Sequence, residues 1–471
     1  MRGNSLNELR STPTIPSGNA HPETVSVLQS SWFGTSLRKA KKTALLAAFS
    51  SEIFAEVETL IGTCPVDQWD LESVEVAVRR QAHRVAARAV EQKINADKSD
   101  YAGPTLVCQC GRAYYHCAQC DTGFCLRDVA LGLQRTTMSP AVTRMIGVVG
   151  AMVSFEESHV LLSDLAGVVV SSKTVERVAE SLGREIAKNE RQSCESLRPL
   201  DDATTTLYLG MDGTGVPIRS NELIGRKGKQ DDGSSKTREV KLVTIWSAEG
   251  RDKDGIPQRD EGSVTYSDAI ESAATNIKGD EPSEFAQRVI REAQRRSFES
   301  AARQAIVGDG AAWIWALADE HFPDDIQILD RFHAKQHLSD VSKAIYGPKS
   351  DLAKAWASQR FDELDDGRID ALLQALTIHA GSIDEARKCV GYVEANRARM
   401  AYANFRAQGL CTSSGVVEAG RKIVVGTRLK RCGMHWTVAG PDAIIALRAC
   451  QLNGRFEDFW EGRSLRALNA A

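Results

Sequence analysis

The spacing of apolar and polar residues divides the chain into helical and strand-like stretches. From about residue 25 to 98 apolar residues return at three- and four-residue steps, most clearly in Val76–Ile94 (VAVRRQAHRVAARAVEQKI). That spacing predicts a helix with Arg79, Arg80, Arg84 and Arg88 on its opposite face, either solvated or against DNA. Helical spacing resumes over 139–200 and ends at a polar break, SLRPLDDATTT. Beyond it TLYLGMDGTGV, EVKLVTIWSA and GSVTYSDA predict three successive strands, with the Gly- and Lys-rich link 225–236 as the hairpin loop between the first two. Residues 282–300 predict a helix with Pro282 in its first turn. QAIVGDGAAW predicts a strand running into a turn, and IQILDRFH a further buried strand. Residues 333–405 are helical and polar, and 412–450 continue as helix, loop and helix. The first 24 residues, rich in Ser, Thr, Pro, Asn and Gly, are expected to be disordered.

Composition changes this picture only at a few points. At 471 residues the chain suits two or three domains, and 42% hydrophobic with 26% charged residues is ordinary for a soluble protein. A net charge of −3 does not mark a nucleic-acid binder, so any such case rests on local motifs. No apolar run reaches the length of a membrane span, and no signal peptide is read at the N-terminus, so a cytoplasmic location is expected. Of 11 cysteines, a group crowds between Cys108 and Cys125, which fits an intracellular metal site better than a secreted disulfide framework.

Two predicted strand ends share one build. Leu207–Met211 is an apolar run ending in Asp212-Gly213, and Ala305–Gly308 ends in Asp309-Gly310. A buried strand delivering an Asp at its carboxyl end sets a carboxylate on the rim of a sheet. Two such acids on adjacent strands suit hard divalent cations, which prefer carboxylate oxygens and leave room for a phosphate. Taken singly, each Asp-Gly is as readily a tight turn. Asp330-Arg331-Phe332-His333 closes the next apolar run, where Asp330 also suits a helix cap. Glu418 lies in SSGVVEAGRK, followed by a cationic run containing Arg421, Lys422, Arg428, Lys430 and Arg431; by itself Glu418 reads equally as a surface acid paired with Lys422. Trp313, Trp315 and Trp436 read as packing residues.

Together these blocks resemble the DDE transposases of bacterial insertion sequences, most closely the ISKra-type family of the Mutator-like group. The matching stretches are MDGTGVPIR, REVKLVTIW, VGDGAAWIW, ILDRFHAKQHL and SSGVVEAGRKIVVGTRLKRCGMHWTVAGPDAIIALR, with RAYYHCAQCDTGFCLRDVALGL and VSFEESHVLLSDLAGVVVSSKTVERVAESLG upstream. The resemblance implies an α/β, RNase H-like mixed sheet flanked by helices, over 201–338 and 406–465, interrupted by a helical insertion at 339–405. It makes Asp212, Asp309 and Glu418 the catalytic acids and ligands of Mg²⁺ or Mn²⁺. Asp330 and His333 match the group's [C/D]-x-x-H signature near the active site, and Glu394 is a weaker rival to Glu418. It further implies that the protein cuts element ends in double-stranded DNA and joins the 3′-OH to target DNA. The partners are then terminal inverted repeats and target DNA, the protein works as a homo-oligomer, and its location is the nucleoid. A nuclease without strand transfer and a transposase-derived DNA-binding protein are the rivals.

Two upstream features complete the expected layout of a helical region (25–105), a Cys-rich knuckle (106–126) and a helical region (127–200). Cys108, Cys110, Cys117 and Cys120 offer four thiolates for Zn²⁺, with buried free thiols as the alternative and Cys125 as a substitute ligand. C-x-C is an unusual corner, and a longer hairpin that the family carries between the two halves is missing here. Between Ser154 and Gly183 the spacing is that of a helix-turn-helix closed by Gly167, with Ser171, Ser172, Lys173, Thr174 and Arg177 placed to reach a major groove; a plain helical hairpin is the other reading.

Overall fold

The structure, a computed structural model, describes residues 138–192 and 205–469 with short breaks at 229, 231–232, 254 and 275–280. Before residue 138 it describes scattered helical positions between 47 and 88 and four short strands between 103 and 124. Among those positions Arg79, Arg84 and Arg88 are exposed, as the helical spacing requires. Residues 1–124 and 125–471 form two compact units.

The second unit is built on one five-stranded sheet. Its strands are β1 (Thr206–Pro217), β2 (Thr237–Ser247), β3 (Thr265–Ala269), β4 (Arg303–Gly308) and β5 (Ile326–Leu329). The order across the sheet is β3-β2-β1-β4-β5. β1, β2 and β3 are antiparallel neighbours, and β4 and β5 run parallel to β1. This mixed sheet, flanked by helices, is compatible with an RNase H-like fold. The central strands are buried along most of their length, because both faces are covered. The long β1–β2 pairing runs from Leu207↔Ser247 to Pro217↔Thr237, so the link after Pro217 is a hairpin connection as expected.

Three helices precede the sheet: α1 (Pro140–Met152), α2 (Phe155–Ala166) and α3 (Ser172–Gln192). α2 opens on a capping box between Ser154 and Glu157 and closes on Gly167 at φ 64°, a left-handed cap. α3 runs well past Gly183. It does so because Val175, Ala179, Leu182 and Ile186 continue one buried stripe against the last part of the chain. Arg448 Nη1 donates to Ala151 O at 2.7 Å and Gln451 Nε2 to Gly147 O at 3.0 Å, so these helices are bonded into the sheet unit.

α4 (Glu284–Arg295) is capped by Ser283 Oγ, which leaves Pro282 outside the helix instead of in its first turn. α5 (Ala312–His321) links β4 to β5. The polar stretch after β5 folds as α6 (Arg331–Tyr346), α7 (Asp351–Asp365), α8 (Ile369–Ala380), α9 (Asp384–Asn396) and α10 (Tyr402–Ala407). α11 (Gly415–Arg421) then returns to the sheet, continues as a π-helical turn over Lys422–Gly426, and is followed by α12 (Ala439–Leu452) and α13 (Phe456–Asn469). Trp315 and Trp436 are buried in this core and Trp313 packs against it. Among the described residues no helix is long and apolar enough to cross a membrane.

Candidate active site

β4 ends beside the middle of β1, which runs on to Pro217, so Asp212 lies within its strand and not at the strand end that its Asp-Gly suggested. Their last parallel pair is Met211↔Gly308, and the next residue on each strand is an acid, Asp212 and Asp309. Asp212 lies at the edge of buried structure, its side chain 17% exposed, with Oδ1 accepting from Gly213 N at 2.6 Å. Burial pushes its pKa up to about 6; the charges of Asp309 and Glu418 act in the same direction, while Arg421 and the Gly213 N–H oppose them. Asp309 Oδ1 accepts from Ala311 N at 3.0 Å, while Tyr392 from α9 donates its hydroxyl to Asp309 O at 3.3 Å. Gly310, at φ 98°, makes the turn there, and a Cβ on it would lie 2.8 Å from the Tyr392 ring. The helical insertion thus reaches back onto the second acid.

Glu418 arrives from a different direction, on α11. That helix lies flat on the sheet because Gly210 has no side chain: a Cβ there would sit 2.1 Å from Val417 Cγ2. The Glu418 carboxylate is half exposed and pairs with Lys422 Nζ at 2.9 Å, a hydrogen bond that holds its pKa below the usual value. Arg421 joins the two sides of the site, with Nε 3.3 Å from Asp212 Oδ2 and Nη2 3.7 Å from Glu418 Oε1. Lys430 Nζ donates to Thr214 Oγ1; burial lowers its pKa, the Arg421 charge adds to that and Asp212 opposes it. One acid within β1, one at the end of β4, one helix acid and three cations, Arg421, Lys422 and Lys430, therefore share the rim. As these side chains stand, no three His, Cys, Asp or Glu residues among those described are grouped closely enough to hold a metal ion.

Asp330 is 5% exposed and its carboxylate is used by backbone. Oδ1 accepts from His333 N at 2.6 Å, capping α6, and Oδ2 accepts from Ser414 N at the entrance to α11. These two bonds tie the start of α6 to the entrance of the helix that carries Glu418. The His333 ring meets His337 edge-on with centroids 4.9 Å apart, and His337 in turn lies 4.3 Å from the Tyr392 ring. Burial, with His333 adding, lowers the His337 pKa. His337 was readable in the sequence as a second His one helical turn after His333, whereas Tyr392 left no signal because only the folding of the insertion brings it to Asp309.

Among the expected DNA contacts, Lys173 and Arg177 are exposed, and Thr174 bonds to Ser171 at the start of α3. Lys422 is exposed beside Glu418, and Arg431 pairs with Glu157 of α2 at 2.7 Å. Arg428 is a correction. It is fully buried between the Phe155 and Trp436 rings, at 4.6 and 5.4 Å, with Nε donating to Gly150 O, so it packs α1 and α2 onto the rim and does not face DNA. Glu394 lies exposed on α9. Cys108 and Cys120 lie outside the described residues; Cys110 and Cys117 fall in two separate two-stranded ribbons.

The Asp212 environment has a consequence for stability. A carboxyl whose folded-state pKa is raised from its ordinary 3.8 to about 6 is disfavoured as an anion in the fold. Its contribution to stability is therefore intact below pH 4 and lost as pH rises through 6. Asp212→Asn is expected to be more stable than the unaltered protein at pH 8, by on the order of 2 kcal/mol, with the gap closing toward pH 4. Thermal melts across that range check this; a gap independent of pH would contradict it.

Fold and rim together define a mixed α/β protein with a group of carboxylates where β4 ends beside its parallel neighbour β1. The sequence profile of UPF0236, an uncharacterised protein family, matches residues 107–461, and the chain belongs to that family. A relative described as the UPF0236 protein in the vanSb 3′ region of Streptococcus gallolyticus is 21% identical over 365 residues, covering 72% of this chain and 70% of the relative. Among solved structures the chain is similar to the Drosophila P element transposase strand transfer complex, at 12% identity over 72% of this chain and 84% of that one, with a TM-score of 0.24. A likeness of that degree carries no argument about function.

Proposed function

We propose that this protein is a DNA transposase of the DDE type, with an RNase H-like catalytic domain like that of the ISKra-type, Mutator-like group. One observation carries the reading: Asp212, within β1, stands beside the end of the parallel strand β4, where Asp309 follows, and is joined through a single guanidinium, Arg421, to Glu418. Three acids from distant parts of the chain meet at one rim, where burial foremost, with the charges of Asp309 and Glu418 adding, raises the Asp212 pKa. A cation is the natural partner of such a set.

The donor set fits Mg²⁺ or Mn²⁺, both of which favour carboxylate oxygens. Asp212, Asp309 and Glu418 would hold the ions, which when bound activate the attacking oxygen and stabilise the leaving one in phosphoryl transfer. Glu418 reaches them by turning from Lys422, an exposed ion pair that costs little to break. Lys422, Lys430 and Arg431 hold DNA phosphates beside the acids. The two steps are in-line displacements at phosphorus: water attacks the phosphodiester at the element end, leaving a 3′-OH and a 5′-phosphate, and that hydroxyl then attacks a target phosphodiester, displacing the target strand's own 3′-OH. Within the same proposal Cys108, Cys110, Cys117 and Cys120 bind zinc, Lys173, Thr174 and Arg177 contact the terminal repeats, and the protein works on DNA as a homo-oligomer.

The test supplies purified protein with pre-cut ends bearing 3′-OH groups, a supercoiled target and Mn²⁺. Joined products are expected. Cleavage of uncut ends without joining would replace strand transfer with a nuclease, and neither activity would remove the enzymatic reading.

A further inference from the structure

The solvent side of α3 shows a regularity beyond the three N-terminal residues considered so far. Every exposed position of the helix is Lys173, Arg177, Ser181, Arg184, Lys188, Arg191 or Gln192. At 100° per residue these fall within a single arc about 100° wide. Five of the seven are cationic and none is acidic. From Lys173 to Arg191 the row spans about 27 Å at 1.5 Å per residue. The opposite face is closed, with Val175, Ala179, Leu182 and Ile186 in the core.

The acids of α3 lie off this row. Glu176 pairs with Lys173 at 2.8 Å, Glu180 with Arg184 at 3.4 Å, and Glu185 is engaged by Arg463 of α13 at 3.0 Å. Arg191 meets Glu271 at 3.4 Å. Among the described residues Arg177 and Lys188 have no acidic partner. Exposed pairs of this kind exchange readily with other anions.

We infer that the exposed face of α3 is a docking surface for duplex DNA, along which Lys173, Arg177, Arg184, Lys188 and Arg191 contact backbone phosphates whatever the base sequence. A row of like charges about 27 Å long suits a partner with regularly spaced negative charge over the same length, which a DNA backbone presents across about eight base pairs. The inference rests on the proposed function for the choice of polyanion and not on the acids at the rim. It differs from a helix that reads bases with its first turn alone, because Arg184, Lys188 and Arg191 lie in the last three turns.

The experiment measures binding of the full-length Asp309→Ala protein to duplexes of several unrelated sequences, in EDTA, over a range of salt concentrations. The triple substitution Arg184→Gln, Lys188→Gln and Arg191→Gln is expected to weaken binding at least about tenfold at low salt, equally for every sequence. It should also reduce the slope of log affinity against log salt by two to three, at about 0.9 per phosphate contact. All three residues are exposed and Glu271 keeps its two bonds from Arg288, so the fold should survive with a small change in melting temperature, and a melt run beside the titration verifies it. Unchanged affinity and slope in the folded variant would overturn the inference. So would a loss confined to one sequence, or tighter binding to single-stranded DNA or to RNA than to duplex. Because no cleavage takes place in EDTA, the slope change stands or falls separately from strand transfer: an Asp309→Ala protein that still cuts DNA would defeat the proposed catalysis and leave this result intact.

Discussion

Replacing Asp309 with Ala is expected to lower metal-dependent DNA cleavage by on the order of 10³-fold or more while leaving the protein folded. Asp309 stands at the end of β4 beside Asp212, and among the described residues its side chain is tied to the backbone N–H of Ala311 alone. Removing it breaks one short turn contact and leaves the Tyr392 hydroxyl on the Asp309 carbonyl, a backbone group that survives the substitution. The chemical loss is larger. Each 1.36 kcal/mol of lost transition-state stabilisation is tenfold in rate, and an ion that stabilises developing charge at phosphorus contributes several kcal/mol. Asp212→Ala should behave alike. Glu418→Ala should cost little in folding, since its side chain is half exposed. Rates of plasmid nicking in Mg²⁺ and Mn²⁺, with circular dichroism as the folding control, decide the point; full cleavage by folded Asp309→Ala would remove this acid from the mechanism.

The second large effect is on stability. Gly183 lies mid-way along α3, where a Cβ would stand 1.9 Å from Ala443 O and 2.5 Å from Ala443 C of α12. A backbone carbonyl cannot rotate away as a side chain can, so Gly183→Ala must push two helices apart. A loss of about 3 kcal/mol is expected, at the upper end for overpacking. Gly391 in α9 gives the contrast, because a Cβ there meets nothing within 4 Å. Gly391→Ala should stabilise the protein by roughly 0.5–1 kcal/mol through helix propensity alone. Denaturant melts of the two variants should therefore move in opposite directions. Two shifts of the same sign would show that α3 and α12 do not pack as described.

Much of the sheet was legible because its strands announce themselves. Leu207–Met211 and Ala305–Gly308 are apolar runs each stopped by Asp-Gly, and their side-by-side pairing follows once both are buried central strands. The hairpin from β1 to β2 was equally visible in its Gly- and Lys-rich link. What periodicity hides is the inward charge of α4. Arg288, Glu292 and Arg295 are all buried there, where an amphipathic pattern places them in solvent. Partners distant in sequence explain it: Glu271 takes two bonds from Arg288 at 2.7 and 2.8 Å, and Arg455 gives two to Glu292 at 2.6 and 3.1 Å.

At the site, sequence pattern marked the acids but not what surrounds them. Arg428 and Arg431 belong to one basic run, yet one is enclosed by two aromatic rings and the other binds Glu157 on the surface. A run of cations does not reveal which members the fold turns inward. Tyr392 was invisible for a related reason: nothing near it in the chain signals that α9 folds back over β4. Asp330 showed its cap in the sequence, but its second bond, to Ser414, depends on the return of α11 to the sheet.

The central claim is that Asp212, Asp309 and Glu418 jointly hold divalent cations. A crystal structure of the protein with Mn²⁺, located by its anomalous signal, tests it most directly. The account predicts manganese at the β1–β4 rim with oxygens from Asp212 and Asp309 on it, Glu418 turned in from Lys422, and Arg421 displaced from between the acids. Manganese bound elsewhere, or an unmoved Arg421 still joining Asp212 to Glu418 at saturating Mn²⁺, would contradict it.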